Sequence, residues 1–240
     1  IVYREETIKI KFFHAKERIE ERRFCMKVVG LWSGGKDSCF ACYKAKLQKY
    51  QIISIVNFTN SDGRNSVSHG LSADIIQRQA GLIDIPLLQK AMPRKGYTDE
   101  FKVLVEELKV KEGIEGIVFG DIYLQEHRDW IDKLCGELKV EAILPIWTKD
   151  TEKLVKEIID SGFKSIIVSA SKDILGEQWL GREINGRFIK DMKAIGNIDL
   201  CGEKGEFHTF VYDGPLFKEK VKFKKGDKKL RDDRWFLEIR

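Results

Sequence analysis

From residue 26 onward, short apolar runs at 27–32, 52–58, 83–87, 116–120, 142–146 and 165–168 alternate with stretches of helical spacing at 39–49, 71–80, 98–111, 125–138 and 152–160. The first set predicts buried strands and the second amphipathic helices. Strict alternation of the two predicts an α/β fold, a Rossmann-like parallel sheet with flanking helices, whose ligands gather at the C-terminal ends of the strands. After about residue 147 the rhythm loosens. A glycine-rich stretch over 174–214 ends in a strand-like run at 207–212, and a Lys-rich tail reads as a β-hairpin, 218–225 and 230–239 around Gly226-Asp227. Its lysines form a solvated face or protect an edge strand. The expected division is therefore a main domain over 26–147 and a smaller C-terminal α+β domain over 148–240. Residues 1–25 mix charges densely, with a strand-like piece at 7–13 and a helix-like piece at 15–23. Because Met26 begins a clean first strand, they are expected to be an upstream extension without chemistry.

Composition narrows the class. A chain of 240 residues buries one sizeable core, or a main domain with an appendage. The net charge of +5 is mild for a chain that is 34% charged, with both signs abundant. That balance argues against a dedicated nucleic-acid binder and suits a heat-adapted soluble protein. The five cysteines form no ladder of pairs, and no secretory or long apolar segment is visible, so reduced thiols, a cytoplasmic location and no membrane partner are expected. Cys39 and Cys42 make a C-x-x-C inside a helical stretch; without a second pair to complete a zinc site they read as small buried residues.

Residues 33–38 read SGGKDS where the first strand gives way to the first helix. A strand, a glycine turn and a helix N-terminus bring backbone N–H groups and the helix dipole onto one anion. Gly30 to Lys36 nearly matches the G-x-x-x-x-G-K-[ST] loop, but Asp37 stands where that loop needs a hydroxyl for magnesium, and Gly30 lies inside the apolar run. The run instead resembles the signature of the PP-loop ATP pyrophosphatases. That resemblance implies a loop that holds the β and γ phosphates of ATP and leaves the α phosphorus open to attack, giving AMP and pyrophosphate.

Two further segments specify the reading. Gly120-Asp121-Ile122 follows the apolar run at 116–120 and puts a carboxylate at the sheet rim, and residues 202–211 read GEKGEFHTFV. With LPIW at 144–147 and LGR at 180–182, the chain resembles the diphthine–ammonia ligase family from Met26 to the C-terminus. The resemblance implies ATP-driven amidation of the diphthine carboxylate on translation elongation factor 2, through an acyl-adenylate, with ATP and Mg2+ as cofactors. A homodimer stays open. Less than half the chain is left for a glutaminase, so the nitrogen would come as free ammonia or from another protein. The segment after Gly120-Asp121-Ile122 departs from the Tyr-Gln-Arg pattern expected there. It reads Tyr123-Leu124-Gln125-Glu126-His127-Arg128, and no role is assigned to its last three residues.

Activating a carboxylate by attack on the α phosphorus requires the pyrophosphate end to be clamped and its charge neutralised. Ser33, Gly34, Gly35 and Ser38 would clamp and Lys36 would neutralise. Asp37 is the first choice for a magnesium ligand and Asp121 the second; the alternative for Asp37 is a helix N-cap. Asn57, Phe58 and Thr59 end the second strand, where backbone groups would meet the base. Gly120 completes the nucleotide set, together with His69, which resembles a family histidine beside the nucleotide. Glu203, Glu206 and His208 are candidates to take the proton of ammonium, against a glycine loop held by its own charges. The trimethylammonium group of diphthine suggests an aromatic cage from Trp147, Trp179 and Tyr212, with Glu183 as the acid. The rivals are a PP-loop tRNA-modifying enzyme, either a thiolase or a lysidine-type ligase, and a nucleotide sensor without turnover. The first would show a catalytic cysteine pair, a zinc ribbon or a strongly basic added domain.

Overall fold

The computed structural model describes residues 26–67, 69–148 and 150–240. The expected extension over 1–25, with its strand-like and helix-like pieces, lies outside the described residues. Strands β1 (Lys27–Leu31), β2 (Gln51–Thr59), β3 (Leu87–Ala91), β4 (Gly116–Val118) and β5 (Glu141–Ile143) alternate with helices α1 (Lys36–Leu47), α2 (Ala73–Ile83), α3 (Tyr97–Glu112) and α4 (Gln125–Leu138). All strand pairs in this sheet are parallel, and the spatial order is β3-β2-β1-β4-β5. The chain therefore runs outward from β1 and returns to start again at β4. At that reversal the connections leave β1 and β4 on opposite faces of the sheet and open a crevice at their C-terminal ends.

Alternation along the strands decides the packing. Val28 joins the core under α1 and α2, whereas its neighbour Val29 joins the core under α3 and α4. Gly30 lies between β2 and β4 with α1 above it, and a Cβ there would lie 2.5 Å from Cys42 Sγ. Cys42 and Cys39 are fully buried packing residues, and burial pushes the Cys42 thiol up to about 12.

Helix α5 (Thr151–Asp160) leads into a second, antiparallel sheet of β6 (Lys164–Ser171), β7 (Phe207–Asp213), β8 (Lys225–Arg231) and β9 (Arg234–Ile239), with α6 (Gly186–Ile195) between β6 and β7. Its order is β7-β6-β9-β8. Phe163, Ile167 and Phe210 belong to the same core as Phe40 of α1, and the Phe40 and Phe163 rings meet edge to face at 5.7 Å.

Three expected elements fall elsewhere. The apolar run at 83–87 is not a strand: Ile83 closes the buried stripe of α2, Asp84 turns the chain in a left-handed conformation, and β3 follows at Leu87. A short apolar run has the same signature at the end of a helix and in a buried strand. The run at 165–168 does not extend the parallel sheet but forms the middle of the antiparallel one. The hairpin turns at Asp232-Asp233, both at positive φ as a tight two-residue turn requires, while Gly226-Asp227 sit within β8 where its register slips.

Candidate functional site

The crevice between β1 and β4 is a cleft of about 450 Å³. Ser33, Lys36, Asp37 and Ser38 of the loop over 33–38 form one wall; Gly34 and Gly35 lie behind them and do not line the cleft. Gly34 adopts φ +83°, and a Cβ there would lie 2.5 Å from Ile76 Cδ1. A Cβ on Gly35 would lie 2.4 Å from His69 Nε2 and 3.1 Å from the Thr209 carbonyl. These two glycines let the loop press against α2 and the second sheet at once. Within the loop, the Ser33 and Ser38 hydroxyls are 3.0 Å apart, the Ser33 N–H donates to Ser38 Oγ, and Ser38 Oγ donates to the Gly35 carbonyl.

A buried amide locks the loop from behind. Gln79 Nε2 donates to the Gly34 carbonyl at 3.0 Å and to the Val211 carbonyl at 2.6 Å, and its Oε1 accepts from Trp32 Nε1 at 3.1 Å. The Val211 N–H donates back to the Gly34 carbonyl at 3.0 Å. Gly35 is the N-cap of α1, so Asp37 lies within the first turn and is not the cap. Lys36, Asp37 and Ser38 of the first turn line the cleft at the positive end of the helix dipole.

Lys36 is 1% exposed. Its ammonium lies 2.8 Å from Asp37 Oδ2, donates to the Cys201 carbonyl and rests 5.2 Å from the centre of the Phe207 ring. Burial lowers its pKa, but the charge and hydrogen bond of Asp37, helped by Glu203, outweigh burial and hold the ammonium above its ordinary value. Burial drives Asp37 upward against the pull of Lys36, and its Oδ1 is buried with no partner. That open oxygen in an anion cleft suits a hard cation.

The opposite wall comes from the strand ends of both sheets. Gly120 packs so closely on α1 that a Cβ would lie 2.9 Å from Ser38 N. Next to it, Asp121 Oδ1 is 2.9 Å from His127 Nδ1, and Glu203 Oε1 accepts the Ile122 N–H at 3.0 Å. Ligand atoms of Asp121, His127 and Glu203 all lie within 4.8 Å of one another. Burial, reinforced by the charges of Asp37 and Asp121, pushes Glu203 up to about 7. His208 faces the same cleft, its ring centre 4.6 Å from that of His69. Burial first, then Arg234 and Lys36, lowers His208 to about 3; His69 is likewise held well below its ordinary value. Glu206 is 3% exposed and does not line the cleft: its Oε1 accepts the Asp199 N–H at 3.1 Å and its Oε2 is buried with no partner.

On the β2 side, Asn57 and Phe58 line the cleft but Thr59 does not. The Phe58 carbonyl already accepts the Val67 N–H and the Thr59 carbonyl the Met92 N–H, so one lone pair of each is engaged within the fold. Phe58 offers its ring, among Tyr97 and Phe101.

The aromatic cage is not assembled. None of Trp147, Trp179, Tyr212 and Glu183 lines the cleft. Trp179 is buried, its face 3.9 Å from the Arg182 guanidinium and its edge on Phe188. Tyr212 is buried beneath Lys220 beside Glu183, and Trp147 lies 5.6 Å from Arg128.

Sequence reasoning passed over His127, Gln79, Tyr97 and Arg234. The first turn of α4 follows Asp121 closely, a spacing that returns His127 to the rim and was the available signal. Gln79, on the buried face of α2, and Arg234, whose guanidinium bonds the Gly205 carbonyl and Ser169 Oγ, carried none.

Residues 26–142 match the model of the diphthamide synthase N-terminal domain, and residues 150–240 match that of the diphthamide synthase C-terminal domain. The chain is 30% identical over 220 residues to a mouse protein named diphthine–ammonia ligase, covering 82% of each chain. It is 28% identical over 219 residues to the human protein of that name, again 82% of each. A fission-yeast protein of the same name is 26% identical over 216 residues, which cover 82% of this chain but 36% of that longer relative.

Proposed function

This chain belongs to the diphthamide synthase family of C–N ligases, and from that premise we propose that it uses ATP and ammonia to amidate the diphthine carboxylate of translation elongation factor 2. The products are diphthamide, AMP and pyrophosphate, and the carboxylate is activated as an acyl-adenylate. The observation that carries the reading is that the loop over 33–38 and the acid pair Asp121 and Glu203 face each other across one cleft at the sheet's reversal point.

Ser33 and Ser38, on the turn that Gly34 and Gly35 shape from behind, hold the β and γ phosphates against the first turn of α1, and Lys36 neutralises the charge that develops on the pyrophosphate side. Magnesium, when bound, supplies a further counter-charge; Asp37, with its open buried oxygen, and then Asp121 offer the hard ligands it prefers. Phe58 offers an aromatic face toward the base. Ammonia attacks only as the neutral amine, so ammonium must lose a proton in the cleft. Glu203 takes that proton: it lines the cleft, it sits beside Asp121, and its pKa of about 7 leaves it half deprotonated at neutral pH. His208, near 3, is too weak a base and serves as a neutral hydrogen-bonding group. Glu206 acts behind the cleft by fixing the Asp199 turn.

We read residues 26–147 as the ATP-binding domain and 148–240 as the domain that meets the acceptor. A cytoplasmic location fits the acceptor, and among the described residues no helix is long and apolar enough to cross a membrane. The tRNA-thiolase rival lacks support, because Cys39 and Cys42 are buried and their thiols are held protonated. The test is turnover: AMP and pyrophosphate released only with diphthine-bearing elongation factor 2 and ammonium. Release of ADP and phosphate, or turnover with tRNA instead, overturns the proposal.

A further inference from the structure

The positive charge of this chain is concentrated in one place. Residues 218–231 hold eight basic and two acidic side chains, a net of +6 against +5 for the whole chain. The rest of the molecule is therefore nearly neutral, and many of its lysines are paired, as in Lys44–Glu157, Lys102–Glu137, Lys156–Glu152 and Lys193–Glu152. The segment is different. Among the described residues, Lys222, Lys224, Lys229 and Arg231 have no carboxylate within ion-pair distance, and Lys225 and Lys228 reach only the carbonyls of Gly181 and Glu177. Lysines protect an edge strand, but a whole row of cations without carboxylate partners adds self-repulsion.

The row also points at the cleft. β8 is the outer strand of the second sheet and pairs only with β9. Its last residue, Arg231, lies opposite Arg234 across the hairpin turn, and Arg234 bonds the carbonyl of Gly205, a residue of the cleft wall. We propose that the exposed lysines of β8 and the segment before it form a docking strip for an acidic face of the folded protein whose side chain enters the cleft. This rests on the proposed reading that the acceptor is a protein. A nucleic acid fits less well, because the strip presents no aromatic face for bases: Phe223 is packed against Phe210 and Tyr212.

The test compares the unmutated protein with the variant Lys224→Gln, Lys229→Gln, Arg231→Gln, all at exposed positions. Steady-state amidation of diphthine-bearing elongation factor 2 is measured across a sodium chloride series. The expected result is a KM for the acceptor raised about tenfold at low salt, with kcat and the KM for ATP unchanged and a flatter salt dependence. In the unmutated protein, KM should climb with salt, a readout that needs no variant. An unchanged KM and salt slope in an active variant overturns the strip alone, whereas an inactive unmutated protein overturns the reading beneath it. A variant that loses binding to poly(U) RNA but keeps its acceptor KM overturns the proposal in favour of a nucleic-acid surface.

Discussion

The backbone N–H of Lys36 donates to Thr209 Oγ1 at 2.9 Å, joining the phosphate-side loop of the parallel sheet to the second strand of the antiparallel one across 173 positions of sequence. Both groups are buried, so the bond sets where the loop sits before any ligand arrives. Thr209→Val keeps the shape and leaves a buried N–H without an acceptor, a loss of about 1–2 kcal/mol. We expect a lower denaturation midpoint and ATP affinity weakened about tenfold, with Thr209→Ser restoring both. Calorimetric titration with ATP checks it, and equal affinity in the Val variant would show that the loop is placed by other contacts.

Lys36→Ala is a poor probe of charge, because Lys36 fills buried space and partners Asp37. Truncating it to alanine leaves a cavity, so a loss of activity would not report on the charge alone. Lys36→Met keeps most of the volume. It should cut AMP formation about a thousandfold by removing the charge that stabilises the departing pyrophosphate, while the circular dichroism spectrum stays native. Turnover near the parent rate would detach Lys36 from the chemistry.

At Gly120 a methyl group would meet the backbone of Ser38, which has no side-chain freedom to give way. Gly120→Ala should cost about 1–3 kcal/mol and weaken ATP binding in step, since β4 and α1 must separate to admit it. Urea unfolding against ATP affinity tests the coupling.

Burial holds the folded-state pKa of Glu203 near 7, above the ordinary 4.5. The folded protein therefore keeps a proton there that the unfolded chain has released, and this group's contribution to stability is present below 4.5 and lost as pH rises through 7. Glu203→Gln should stabilise the protein at pH 8 by about 1 kcal/mol after solvent screening, slow amide formation more than adenylation, and remove the limb near pH 7 from the rate profile. A variant with the parent's profile would take the proton-accepting role from this residue.

His208 titrates in the opposite sense. Its folded pKa of about 3 lies below the ordinary 6.5, so protonation favours the unfolded chain, and stability that is full above 6.5 declines as pH falls toward 3. His208→Gln should flatten that decline in thermal midpoints between pH 4 and 6.5.

Much of the parallel sheet was legible because its signals are local. Helix α4 spans 125–138 as its spacing predicted, and SGGKDS stands at the strand-to-helix turn because glycines, a lysine and hydroxyls suit that turn whatever surrounds it. The run at 83–87 failed because Ile83 has one neighbour pattern in a helix and the same one in a strand. The cage failed for another reason: a tryptophan's composition says nothing of what covers its face, and Arg182 covers that of Trp179.

The amino-acid sequence by itself determined the alternation of elements, the phosphate-side turn and the acidic GEKGE loop, because each depends on residues within a few positions of one another. Tertiary structure decided what those pieces do together: that Gln79 holds the loop from behind, that Lys36 is fastened to Cys201, that Glu203 and His208 face the cleft while Glu206 does not, and that burial raises Glu203 to about 7. These follow from burial and from contacts between distant segments, and neither is written in local spacing.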